Sequence, residues 1–197
     1  MEQFHHPRPV CTGCHDQLRP TPERQFLMTG LSGTVLEIGA GDGVKLACYP
    51  PSVDEIILVE PDAFLRAAAA RTAAPVPVLI LDGDLDRLPV PDASCESVVC
   101  SLVLCCASRP ERTLAEIRRV LRPGGQLRFY EHQRSASPIL AFAEGLAKPL
   151  WSRAAGGCHP ARDTVSTVDG AGFVIERLDR FTFRRVCHVL GSARPRR

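Results

Sequence analysis

Glu37 is the first residue to question for chemistry. It closes an apolar run in the stretch VLEIGAGDG, Val35 to Gly43, and Gly39, Gly41 and Gly43 follow it at alternate positions. An apolar run ending in a glycine-rich bend is how a parallel strand hands over to a helix whose N-terminal N–H groups face a ligand. Dinucleotide sites use G-x-G-x-x-G and keep that helix end free for a pyrophosphate. Here the spacing is different, and a carboxylate at the loop's entry repels phosphate. It suits a cationic ligand such as an amino-acid ammonium or a sulfonium.

Two further acids extend the pattern. Glu60 ends the run DEIILVE, at the offset of about 20 residues where a ribose-binding acid belongs. Asp84, in LDGDLDRLPVPD, is placed to accept from an adenine amino group while the Leu85 N–H reaches a ring nitrogen. Successive sites for an amino acid, a ribose and an adenine describe S-adenosylmethionine better than NAD.

His132 follows the apolar stretch QLRFYE and is the candidate base or orienter; its competing readings are a cap on the next helix or a hydrogen bond to Glu131. Cys105 and Cys106 follow a strand-like run and read as walls against a substrate, with Trp151 a lid or core residue over the same site. Most of the nine cysteines read as buried small hydrophobes in a reducing compartment. CTGCH, Cys11 to His15, has the C-x-x-C-H spacing of haem attachment or half of a zinc site. Haem attachment requires export and zinc about four ligands, so the expectation is no metal, and the role of Cys11, Cys14 and His15 stays open.

These residues need a scaffold that brings strand ends together. TVLEIG, DEIILVE, VPVLILD, CESVVCSLVL and PGGQLRFYEH read as strands. DGVKLACYP reads as a helix start, and DAFLRAAAARTAA and RPERTLAEIRRVL as helices, the last with Leu114, Ile117, Val120 and Leu121 on one face. Alternation of this kind gives a mostly parallel sheet with helices on both faces and ligands at the carboxyl ends of the strands. SPILAFAEGLAKPLW and ARDTVSTVDGAG add helices, and FVIERLDRFTF with RRVCHVL two antiparallel closing strands. Residues 1–20, with three prolines, read as a flexible arm and lid, and residues 21–197 as one domain.

VLEIGAGDG, VEPD, GDLDRLPVPD and RRVLRPGGQL, in that order, resemble the successive motifs of class I S-adenosylmethionine-dependent methyltransferases. The resemblance runs from about Gly33 to His132 and implies a single Rossmann-like α/β domain with a seven-stranded sheet. It implies that Glu37 and the Gly39, Ala40 and Gly41 backbone hold the methionine portion. Glu60 beside Pro61 would take the ribose and Asp84 with Leu85 the adenine, with Ser101 completing the cofactor set. VVCSLVLCC, FYEH, a tryptophan and GGCHPARD are similar to the branch whose animal members methylate small-molecule thiols, at Cys100, Leu102, Leu104, Cys105, Glu131, His132, Trp151, Gly157, Cys158 and Arg162. Those animal proteins begin with a membrane anchor, which these opening residues do not resemble.

Composition narrows the partners. A net charge of +2 argues against nucleic acid or an anionic membrane, and only Lys45 and Lys148 among 24 basic residues are lysines. MEQFHHPRPV lacks the apolar core of a signal peptide, and no apolar run approaches the ~20 residues of a membrane span. The expectation is a cytoplasmic enzyme that methylates a small molecule, best a thiol, in specialised metabolism or thiol detoxification. The alternatives are an oxygen or nitrogen acceptor and a cofactor-binding regulatory module; the glycine spacing weighs against a nicotinamide oxidoreductase. Oligomeric state is not legible.

Overall fold

The computed structural model describes residues 22–154, 158–159, 161–183 and 186–196. The chain alternates helices α1 (Pro22–Met28), α2 (Ala63–Ala69), α3 (Pro110–Val120), α4 (Pro138–Ala154) and α5 (Thr164–Gly170) with seven strands. These are β1 (Gly33–Ile38), β2 (Val53–Val59), β3 (Val78–Leu81), β4 (Cys95–Ser101), β5 (Leu121–His132), β6 (Phe173–Phe183) and β7 (Val186–Pro195). They form one sheet in the order β3-β2-β1-β4-β5-β7-β6. β1 to β5 pair in parallel, and β7 runs antiparallel between β5 and β6. The expected fold, a mostly parallel seven-stranded sheet, is the one observed.

Strand residues alternate between two cores because successive side chains leave opposite faces. Leu36 and Ile38 of β1 join Val98, Leu127 and Phe129 against Leu114, Ile117 and Val120 of α3 and Val168 of α5. Val35 joins Ile56, Leu58 and Val99 against Leu27 and Met28 of α1, Leu46, Tyr49 and Ala69. The central strands are covered on both sides, which accounts for their near-continuous apolar sequences. The chain moves outward from β1 to β2 and β3, then returns to β4 on the other side of β1. That reversal opens a crevice at the carboxyl ends of β1 and β4, where α/β sheets hold ligands.

Two expected elements are corrected. The helix after β1 is a single 3-10 turn, Leu46–Cys48. Pro50 and Pro51 stop any extension, and Val53 already starts β2. The fourth strand, expected through Leu104, ends at Ser101, because Leu102 turns into the left-handed region at φ 59°. α2 begins as its sequence suggests, with the Asp62 carboxylate accepting from the Phe64 and Leu65 N–H groups as an N-cap. The 1–20 arm, with Cys11, Cys14 and His15, lies outside the described residues. Among the described residues, no helix is long and apolar enough to cross a membrane.

Candidate active site

The glycine loop leaves β1 through three left-handed residues, Gly39 at φ 60°, Gly41 at 63° and Gly43 at 77°. A side chain on Gly39 would place its Cβ 2.6 Å from Val103 Cγ2, so this glycine admits the loop that follows β4. Gly41 is different: nothing lies within 4 Å of its Cβ position, and the loop faces open space there. Ala40, between them, is buried, and its carbonyl accepts from the Gly43 N–H.

Glu37 shares the face of Val35 and is 1% exposed. Its Oε2 accepts from the Tyr49 hydroxyl at 2.7 Å. Lys45 Nζ lies 2.8 Å from Oε1 as a charge contact, yet Oε1 has no hydrogen bond of ordinary geometry. Burial, then the charge and hydrogen bond of Glu37, push the Tyr49 phenol well above its usual range, so it remains a donor. Neither Lys45 nor Tyr49 was singled out from the sequence. Both come from the short segment that fails to form a helix.

Glu60 stands just past β2 and spans two backbone groups. Its Oε2 accepts from the Gly41 N–H at 2.9 Å and its Oε1 from the Asp62 N–H at 3.1 Å. The carboxylate therefore ties the glycine loop to the start of α2. Pro61 follows, its carbonyl accepting from Arg66 Nη1. Beyond β3, Asp84 is exposed and Leu85 half-buried, in a turn closed by the Arg87 N–H on the Asp84 carbonyl.

On the other side of the crevice, Ser101 is half-buried at the end of β4, and the Leu102 N–H donates to the Tyr130 carbonyl at 2.7 Å. That turn aims three successive N–H groups at one carboxylate. Val103 and Leu104 donate to Glu131 Oε1, and Cys105 to Oε2, each at 3.0 Å. Glu131 is fully buried, and burial pushes its carboxyl up, against the lowering by the Cys105, Val103 and Leu104 N–H groups. Sequence reading named Glu131 only through resemblance. An acid two residues past Phe129, on the same inward face of a strand, was the available signal.

His132 does not bond Glu131. Its Nδ1 lies 3.3 Å from Cys105 Sγ and 3.0 Å from Cys158 Sγ, while the two sulfurs are 3.8 Å apart and Cys106 Sγ is 3.7 Å from that of Cys105. Hydrogen bonding to Cys105 and Cys106, against the opposing effect of burial, and then to His132, holds the Cys158 thiol far below the ordinary thiol range. The Cys105 thiol is pushed up by its contacts with Cys106 and Cys158 and by burial. His188 tilts against His132 with ring centroids 4.7 Å apart, and burial lowers its pKa. Trp151 falls within α4.

Residues 36–129 match the family model described as a methyltransferase domain. The chain is 33% identical over 162 residues to "Thiol S-methyltransferase TMT1B" of Homo sapiens, covering 78% of this chain and 66% of that protein. The chain carries a methyltransferase domain. The solved S-adenosylmethionine-dependent methyltransferase of Mesorhizobium loti shares the fold, at a TM-score of 0.64 and 19% identity over 87% of this chain and 95% of that one. So does the [4+2]-cyclase SpnF, at 0.70 and 19% over 88% and 80%. The fold is therefore common to different reactions, and the reaction must be argued from the site.

The residues present fit the family's cofactor, S-adenosylmethionine. The buried Glu37 Oε1 carries the Lys45 charge contact but no hydrogen bond of ordinary geometry, so it keeps the capacity to accept from a ligand ammonium. The open space beside Gly41 lets a ligand approach the backbone closely. On the expectation that Glu60 takes the ribose, Glu60→Ala removes that acceptor, and it also frees the Gly41 N–H from its carboxylate. Its affinity for the cofactor is expected to fall roughly 10- to 100-fold, the ~1.5–3 kcal/mol of one hydrogen bond to a charged group, with the fold intact. Calorimetry returning wild-type affinity for a folded variant would remove Glu60 from the cofactor site.

Proposed function

We propose that this chain transfers the methyl group of S-adenosylmethionine to a small-molecule thiol. What carries the reading is the 33% identity to a thiol S-methyltransferase, together with a wall of soft side chains, Cys105, Cys106, Cys158 and His132, where β4 and β5 end. The matched relative is longer, and the chain spans 66% of its length.

When bound, S-adenosylmethionine supplies an electrophilic methyl group on a sulfonium. The task of the protein is to orient the acceptor in line with that methyl and to keep water out, which is worth effective molarities of roughly 10⁵ M or more. Glu37, Glu60 and the Gly39–Gly41 backbone fix the donor side. The loop from Leu102 to Cys106, pinned by Glu131, forms the acceptor side. A thiol asks for little more, because with a reference pKa near ~8.5 it is already a few per cent thiolate at neutral pH.

Release of S-adenosylhomocysteine with a matched series of aliphatic thiol, phenol and amine acceptors tests the reading. At neutral pH the thiol is expected to lead the phenol by at least the roughly 30-fold difference in anion fraction between reference pKa values near ~8.5 and ~10. A phenol or amine turned over faster than every thiol moves the assignment to oxygen or nitrogen methylation. Cofactor binding without turnover of any acceptor favours a regulatory module.

A further inference from the structure

The ligand atoms of Cys105, His132 and Cys158 lie within 4.8 Å of one another. They come from three separate segments: the loop after β4, the end of β5 and the stretch before α5. Zinc bonds of ~2.3 Å to sulfur and ~2.0–2.1 Å to nitrogen give a tetrahedral S···S edge of about 3.8 Å and an S···N edge of about 3.5 Å. The two sulfurs stand 3.8 Å apart, and the imidazole Nδ1 is 3.3 and 3.0 Å from them. An ion entering the triangle needs the ring to retreat by only a few tenths of an ångström.

The three groups are also held in place from behind, as metal ligands are. Glu131 fixes the Cys105 N–H at 3.0 Å, and the Cys105 carbonyl accepts from the His159 N–H at 2.9 Å, which docks the Cys158 segment onto the same loop. Arg162 Nη1 donates to the Leu104 carbonyl and, at 2.7 Å, to that of Ala107. The Thr164 hydroxyl donates to the His132 carbonyl at 2.9 Å. Cys105 and Cys158 are buried and His132 is half-exposed, so the cluster is closed on one side and approachable on the other. Two thiolates neutralise a divalent ion, and sulfur with imidazole selects zinc over magnesium or calcium.

We propose that Cys105, His132 and Cys158 bind one zinc-class ion whose fourth position takes the acceptor thiol. This rests on the thiol-acceptor reading above. Three protein ligands with one open position is the arrangement of a catalytic rather than a structural zinc site, and a thiol that coordinates the ion is deprotonated outright. The acceptor R–SH passes its proton to solvent as it coordinates. The bound thiolate then attacks the methyl carbon: the new S–CH₃ bond forms, and the old one breaks with its electron pair left on the departing sulfur. The products are R–S–CH₃ and S-adenosylhomocysteine, and the neutral thioether, a poorer ligand, leaves the ion.

The test is Co(II) titration of the full chain under a non-thiol reductant without acceptor. Wild type is expected to take up one equivalent, with sulfur-to-cobalt charge-transfer bands and the visible bands of a tetrahedral ion, and Zn(II) to displace it. Cys105→Ala, Cys158→Ala and His132→Ala are each expected to lose at least the ~10- to 100-fold in affinity that even a supporting residue contributes, with the far-ultraviolet circular dichroism of wild type. Should a variant not fold, protection of Cys105 and Cys158 from alkylation by Zn(II) in the wild type, read by mass spectrometry, answers instead. No saturable uptake by folded wild type, or unchanged uptake by folded Cys158→Ala, overturns the site. A small alkyl thiol should shift the visible bands where a phenol does not; unshifted bands, or Co(II) uptake abolished by Cys106→Ala, overturn the open position. Thiol turnover undiminished after chelator treatment refutes the metal's role and leaves the thiol reading standing. One-equivalent uptake with no thiol turned over refutes the thiol reading and leaves the site.

Discussion

Replacing Glu131 by alanine is expected to destabilise the protein by about 3–5 kcal/mol, the range found when one partner of a buried charged network is removed. The carboxylate accepts from the Val103, Leu104 and Cys105 N–H groups, each at 3.0 Å, at a position sealed from solvent. Each such bond is worth ~1.5–3 kcal/mol singly, and the three are not additive because they share one acceptor group. Burial raises the Glu131 pKa despite those donors, so the carboxylate is costly in itself. An apolar replacement nonetheless cannot recover that cost, since it leaves three buried donors without an acceptor. Glu131→Gln keeps one acceptor oxygen and turns an amide donor toward the remaining N–H, so it should recover only part of the loss. Urea unfolding of the three proteins reads the effect. At ~2–4 °C per kcal/mol for a chain of this size, Glu131→Ala should melt roughly 10 °C lower. A change below about 1 kcal/mol would show that the loop after β4 is held by something other than this carboxylate.

Gly39→Val is expected to have the next largest effect, on both stability and cofactor binding. The backbone there sits at φ 60°, a region that costs a residue with a side chain about 1–2 kcal/mol, and more when it is β-branched. The added Cβ would also lie 2.6 Å from Val103 Cγ2, a clash of the overpacking kind that costs about 1–3 kcal/mol. A loss of roughly 2–5 kcal/mol follows, and the shift of the loop should weaken the cofactor by 100-fold or more, on the scale of about 1.4 kcal/mol per tenfold. Gly41→Ala is the comparison, because it shares the positive φ but meets nothing within 4 Å. Its stability should change by the backbone cost alone. Calorimetry that finds Gly39→Val binding S-adenosylmethionine within threefold of wild type would remove the loop from the cofactor site.

The sheet was legible because its strands carry their own signal. Val35 to Ile38, Ile56 to Val59 and Val98 to Cys100 are short apolar runs bounded by turn residues, and the acids Glu37 and Glu60 stand at their ends. DGVKLACYP misled because its composition allows a helix, whereas the two prolines and the nearby start of β2 leave room for one turn only. Leu102 could not be read as a turn residue, since a leucine at φ 59° is set by the Glu131 network and not by local preference. The thiol and imidazole cluster was legible only as single residues, Cys105 and His132 as site candidates and Cys158 through resemblance, and not as one ligand set. Cys105, His132 and Cys158 are about 26 residues apart in each step, a spacing that matches no local ligand motif, and cysteines beside apolar runs are ordinarily core. Cys11, Cys14 and His15, which do have motif spacing, lie outside the described residues.

The pairing of Lys45 with Glu37 bears on how this protein can be watched. Lysine is so scarce here that an acylating reagent has only the ε-amines of Lys45 and Lys148 to find, besides the chain terminus. Lys45 is shut away, its side chain 7% exposed and its ammonium held 2.8 Å from a carboxylate. It can be acylated only while the segment after the glycine loop swings outward. The labelling rate at this one amine is thus a clock for opening of the cofactor cradle, written into the chain by its preference for arginine everywhere else.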